Sequence, residues 1–267
     1  MAQPALTPIP APFVATSATV AQNALHDNLF PIVTRLRVDA WERALTDAGI
    51  CKKYKDILVG LREGFPCGLE QFSLARSFIP PNHYTSTEDE DFIITKYAQE
   101  IELGRISHGY HPDTLFSLIG HFRTAPLAVI DQGAGKRRVI VNHSYPKNKH
   151  HYIDPQTLPR TPDGKYIIDP SEISINTVTD SKMFQCTWGS FSECYLLVAD
   201  APTGSQAAVF DVDAAFRNIP THPAARPFLA FSIKGLIHLN HVLNFGATPA
   251  PGTFGRVADA MVEILKH

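Results

Sequence analysis

Between Phe210 and Pro220 the chain reads Phe-Asp-Val-Asp-Ala-Ala-Phe-Arg-Asn-Ile-Pro, and this block constrains the fold more than any other. The apolar run Ala207, Ala208, Val209, Phe210 predicts a β-strand through Val212. The strand would deliver Asp211 at its end, ahead of a small-residue turn at Asp213, Ala214 and Ala215. Such an order suits a site that holds a metal ion, cradles a triphosphate and tests a sugar. Asp211 and the backbone carbonyl of Val212 would give oxygens to the metal. Free N–H groups of a helix opening at Ala214 and Ala215 would face phosphate. The flat ring of Phe216 would lie under the ribose and exclude a 2′-hydroxyl. An aspartate between strand and helix is, taken alone, usually structural.

Two further blocks bear on that choice. Asn244 to Phe254 is a loop of small residues and prolines leading into an apolar-periodic segment, Gly252 to Lys266, read as a helix. Gly246 in that loop would allow backbone to approach a nucleotide or template base closely, next to Phe245. Upstream, Pro126 to Ile130 and Arg138 to Val141 flank Gly133 to Gly135 and predict a β-hairpin with a basic tip. Lys136 and Arg138 on that tip could fold over a triphosphate, arginine's planar fork matching phosphate oxygens. The plain alternatives are a helix-leading turn and a solvated basic turn. The order basic hairpin, carboxylate strand, Gly-Pro loop and helix is hard to obtain by accident.

The rest of the chain divides into three regions. Residues 1–23 carry no charge and have prolines at 4, 8, 10 and 12, which suits a disordered tail better than a signal peptide. Residues 24–105 read as mainly helical, with helices over Val38 to Leu45, Lys53 to Glu63, and from the Ser86 cap to about Leu103. The acidic run Glu88 to Asp91 reads as the solvated start of the last of these. Residues 106–267 read as short strands separated by turns. Asp154 to Pro170, with its prolines, is expected to be a long loop. Ser190 to Val198 suits helix or strand, and Phe228 to Ile233 with Ile237 to Leu243 suggests a second hairpin around Lys234 and Gly235.

Composition narrows the function. A net charge of -2 argues against a protein that coats nucleic acid, which would be strongly basic. From Gly133 to His151, however, Lys136, Arg137, Arg138, Lys147 and Lys149 occur with no acid among them. No apolar run is long enough to span a membrane. The four cysteines lack CxxC spacing and are expected to be reduced thiols of an intracellular, cytoplasmic or nuclear protein. The histidines at 108, 111, 121, 143, 150 and 151 have no zinc-ligand spacing, and no serine sits in a Gly-x-Ser-x-Gly context.

With these blocks in view, the chain resembles a reverse transcriptase, most of all those of tyrosine-recombinase (DIRS-like) retrotransposons. Arg138 to Pro146 resembles their R-x-I-x-x-x-S-Y-P block, and Ser174 to Asn176 the S-x-N that follows. Asp211 to Pro220 with His222 and Pro223 matches D-I-x-x-A-F-R-x-x-P. Leu243 to Gly246, with Ala250, Pro251 and Phe254, matches L-P-F-G-x-x-x-A-P-x-x-F, with Asn244 in place of the proline. Glu102 to Ile106 and Thr124 to Leu127 resemble the entry to the fingers.

The resemblance covers roughly residues 100–267. It implies an α+β right-hand polymerase fold, with fingers and a partial palm over 106–267. The implied activity is RNA-directed DNA synthesis from dNTPs on an RNA or DNA template-primer, by Mg²⁺-dependent two-metal nucleotidyl transfer. In that scheme Asp211 is the catalytic metal ligand with Val212, and Lys136 and Arg138 bind the dNTP. Ala214, Ala215 and the steric gate Phe216 cradle it, and Phe245 and Gly246 pack on nucleotide and template. No Tyr/Phe-x-Asp-Asp pair occurs in the sequence. The expectation is therefore a polymerase cut before its central hairpin and inactive by itself. The alternative is a non-catalytic nucleic-acid-binding protein derived from a truncated retroelement.

Overall fold

A computed structural model describes residues 29–84, 86–147, 152–186, 189–209 and 211–267. The chain divides after Pro31, and everything below concerns the unit Ile32–His267. The expected tail at 1–23 lies outside the described residues, as does part of the basic stretch, 148–151.

The first two helices form where the apolar spacing places them. Helix α1 (Val38–Asp47) buries Leu45, and α2 (Lys55–Glu63) buries Ile57, Leu58 and Leu61 along one face. Strand β1 (Phe72–Leu74) follows, then α3 (Thr87–Glu102). The Ser86 hydroxyl accepts the Asp89 N–H at 3.1 Å and so caps α3, which turns Ile93 and Tyr97 inward. Helix α4 (Pro112–Ile119) falls where only strands are expected; Pro112 in its first turn pre-sets the helical φ.

The basic hairpin forms as expected. Strands β2 (Leu127–Asp131) and β3 (Arg137–Val141) pair antiparallel from Leu127↔Val141 to Asp131↔Arg137. Strand β4 (Tyr166–Ile168) corrects the loop expected over Asp154 to Pro170, pairing in parallel with β1. Prolines 155, 159, 162 and 170 bracket β4 without entering it, so its ladder donors survive. Phe72, Leu74, Tyr166 and Ile168 all face the core.

A short α5 (Ile175–Val178) precedes α6 (Phe191–Ala199). A capping box between Ser190 and Glu193 settles the helix-or-strand ambiguity of that segment as helix. Strands β5 (Phe231–Ile233) and β6 (Leu236–His238) make the second hairpin, shorter than expected, with Lys234 and Gly235 both at positive φ in its turn. Helix α7 (Pro249–Ile264) starts a little earlier than its periodicity indicates, on Pro249.

One expectation fails at the most informative block. Residues 207–209, 211 and 212 adopt no regular structure, and Val209 is 96% exposed. A strand needs a hydrogen-bonded neighbour and an apolar face to cover. Among the described residues no strand lies beside this run. Phe210 lies outside the described residues.

Two cores hold the unit together. The larger joins Leu45, Ile57 and Leu61 to Ile168, Ile219, Leu243 and Val257, so α1 and α2 pack against α7 and β4. The smaller joins Ile93 and Tyr97 of α3 to Leu127, Val141, Phe231 and Ile233. It seats α3 against the basic hairpin. The fold therefore mixes helices with short strands, in keeping with the α+β expectation at that level.

Candidate functional site

The smaller core leaves a pocket of about 390 Å³ between α3, the β2–β3 hairpin and the loop before α7. Lys96 and Glu100 line it from α3, Lys136 and Arg138 from the hairpin, Arg217 and Phe245 from beyond. Its cations are not equivalent. Arg137 is held by Glu88 and Asp89 at the start of α3, and its guanidinium also lies over the Phe92 ring at 4.8 Å. The acidic run is thus more than a solvated helix start. Arg217 is paired with Glu100 at 2.7 Å. Among the described residues no acid pairs with Lys96, Lys136 or Arg138. These three leave the pocket with uncompensated positive charge.

Of the expected nucleotide-binding residues, Lys136, Arg138 and Phe245 line the pocket, while Phe216 and Gly246 do not line it and reach it only through their contacts. The Arg138 guanidinium lies 4.8 Å from the centre of the Phe245 ring. Phe245 in turn packs against Phe216 at 4.6 Å, and Phe216 against Phe254 at 5.7 Å. Each such contact adds about 0.5–1.5 kcal/mol beyond burial. Gly246 has φ +92°, and a Cβ there would come 2.6 Å from the Val141 carbonyl oxygen. The loop can therefore press against β3 only with glycine at this position.

Asn176 fixes that loop from the other side. Its amide donates to the Ser144 hydroxyl at 2.9 Å and to the Gly246 carbonyl at 2.7 Å, while its oxygen accepts the Thr248 N–H at 3.0 Å. Three of the blocks that carry the resemblance, 138–146, 174–176 and 243–254, are thus tied by one side chain. Behind them His143 is fully buried, and burial together with the nearby Arg123 lowers its pKa to about 3. It is a neutral ring at ordinary pH, 3.5 Å from the Asn244 amide.

The turn at Ala214 and Ala215 differs from expectation. Ala214 sits in the left-handed region (φ 51°, ψ 40°), and Ala215–Asn218 is a single 3₁₀ turn in which the Arg217 N–H bonds the Ala214 carbonyl at 2.7 Å. A turn this short offers no row of free N–H groups to a triphosphate. Neither alanine lines the pocket.

Asp211 is exposed, Val212 is half-buried, and neither lines the pocket. Asp213 beside them faces the Arg35 guanidinium at 3.6 Å. Among the described residues no three His, Cys, Asp or Glu side chains stand together so as to hold a metal ion. One carboxylate and one carbonyl do not fit a pair of Mg²⁺ ions about 3.5–4 Å apart, which needs bridging carboxylates.

Sequence reasoning passed over Lys96, Glu100 and Arg217. Arg217 lies inside a quoted motif, but its ion pair with α3 joins segments that no local pattern links.

No protein-family model matches the chain, and no curated protein matches it. Among solved structures it is similar to a foamy viral protease-reverse transcriptase in complex with double-stranded DNA. The identity is 12% over 98% of this chain and 38% of that one, with a TM-score of 0.45. A second foamy viral protease-reverse transcriptase structure with double-stranded DNA is 13% identical over 97% of this chain and 44% of that one, with a TM-score of 0.43. The chain thus spans well under two thirds of the length of either. Among the described residues no helix is long and apolar enough to cross a membrane.

Proposed function

We propose that this chain is a reverse-transcriptase domain of the DIRS-like type. Residues 106–267 serve as fingers and palm, helix α3 packs onto their basic hairpin, and the basic pocket binds the incoming dNTP beside a template-primer. The observation that carries this is convergence: Arg138 and Phe245, from separate blocks, line one pocket with uncompensated positive charge, and Phe216 from a third block packs on Phe245. Arg138 and Lys136 are suited to the phosphates by charge and reach. The Phe216–Phe245 pair offers the flat apolar surface that a sugar and base pack on.

The test is binding of dATP to the wild-type chain and to Arg138→Ala. A charge-assisted contact to phosphate is worth about 1.5–3 kcal/mol, so its loss weakens binding about tenfold or more. Equal affinity for the two proteins counts against the reading.

Catalysis stands apart from binding in this proposal. With Asp211 exposed and, among the described residues, no group of carboxylates around it, the chain alone is expected to incorporate no dNTP on poly(rA)/oligo(dT) with Mg²⁺. Clear incorporation overturns that part. The same exposure favours a second reading, a non-catalytic nucleic-acid-binding protein of retroelement descent. That reading expects salt-sensitive RNA or DNA binding through the basic stretch 136–149, unchanged in Asp211→Asn and without any preference for bound dNTP.

A further inference from the structure

Glu100, on α3, accepts from two arginines at once. Its Oε1 takes the Arg105 Nη1 at 3.2 Å and its Oε2 the Arg217 Nε at 2.7 Å. Arg105 is only 4% exposed, and its other terminal nitrogen donates to the Asn218 side chain at 3.2 Å. Arg217 has all three nitrogens engaged. Nε and Nη2 face Glu100, and Nη1 donates to the Leu243 carbonyl at 3.2 Å, to Asn240 at 3.3 Å and to the Asn244 side chain. Asn244 immediately precedes Phe245, whose ring lies between Arg138 and Phe216. Asn244 also occupies the position at which the sequence departs from the resembling motif, where proline would offer no side-chain acceptor.

We propose that Glu100, Arg217 and Asn244 form a latch that sets Phe245 in the pocket, with Arg217 acting as a positioning residue rather than as a ligand for phosphate. The proposal deepens the nucleotide-site reading and rests on it for the ligand. Its physical basis is occupancy. A guanidinium with every nitrogen already bonded to protein, facing a carboxylate that it shares with Arg105, has little left to offer an anion. A helix of the N-terminal helical region thereby determines the shape of the site.

Glu100→Gln separates the two roles by sign. The amide keeps the size of the side chain but has one acceptor oxygen for two arginines, and its NH₂ would face a guanidinium. If Arg217 positions the loop, Glu100→Gln weakens dATP binding, by about tenfold for a lost charged hydrogen bond. If Arg217 instead binds phosphate, removing its counter-charge tightens binding. Arg217→Met gives an independent readout: the salt dependence of dATP affinity stays as in the wild type, whereas it falls in Arg138→Ala. Unchanged or tighter binding in Glu100→Gln, or a reduced salt dependence in Arg217→Met, overturns the latch.

Should the wild-type chain bind no dATP, the nucleotide reading fails and hydrogen exchange decides the latch alone. Amides across Asn240 to Thr248 then exchange faster in Glu100→Gln while those of α2 do not change. Equal exchange over Asn240 to Thr248 in the two proteins overturns the proposal.

Discussion

The Arg138 guanidinium lies over the Phe245 ring at 4.8 Å, joining the tip-side strand of the basic hairpin to the loop that leads into α7. Two sequence blocks that share no local pattern thus present a cation and an aromatic face to one pocket.

The contact itself is worth only about 0.5–1 kcal/mol at a partly exposed site. Arg138→Lys keeps the charge and loses the planar fork, so dATP affinity should fall between those of wild type and Arg138→Ala. Isothermal titration of the three proteins orders them. Arg138→Lys matching Arg138→Ala would mean that stacking on Phe245, not charge, dominates.

Gly246→Ala and Gly252→Ala should both destabilise the chain. At Gly246 an added Cβ meets the Val141 carbonyl oxygen at 2.6 Å with φ at +92°, and at Gly252 it meets the Phe184 carbonyl oxygen at 1.8 Å. Strain and overpacking of this kind cost about 1–3 kcal/mol each. Urea unfolding reads the loss as a lower midpoint, and the closer approach predicts the larger effect at Gly252.

His143 gives the stability a pH dependence. Its folded-state pKa is about 3, against an ordinary value of 6.5, because burial and Arg123 disfavour the charged ring. With the folded value depressed, the unfolded chain binds the extra proton first. The contribution is fully present above about pH 6.5 and is lost as pH falls towards 3. His238, also held below its usual value by burial, acts in the same direction. The urea midpoint should drop from pH 7 to pH 5, and His143→Leu should make that drop shallower. An identical drop in the variant would show that His143 does not titrate in this way.

Val209→Ser tests the absence of the expected strand. A side chain 96% exposed contributes little, so the change should stay within about 0.5 kcal/mol of wild type. Were Val209 buried in a sheet, exchanging it for serine would cost several times as much.

The contrast between Val209 and the hairpin indicates what the sequence could and could not disclose. Leu127 to Val141 reads as a hairpin because alternation, turn glycines and both partner strands lie within one local stretch. Ala207 to Val212 also reads as a strand, but pairing is not local, and no neighbour among the described residues supplies it. The same limit hid β4, which pairs with the distant β1. Phe216, Phe245 and Gly246 were legible as candidates because they fall inside the motifs. Lys96, Glu100 and Arg217 were not, since α3 reaches the pocket through long-range contacts: the packing of Ile93 and Tyr97 in the smaller core and the ion pairs to Arg137 and Arg217. Asp211 was legible as a carboxylate at a turn, but its exposure was not.

The most direct test is a titration of the chain with poly(rA)/oligo(dT) in the presence and absence of dTTP. The account predicts that dTTP tightens the complex and that Lys136→Ala with Arg138→Ala abolishes this gain. Template-primer binding with no response to dTTP, equal in wild type and variant, would contradict a nucleotide site in this pocket.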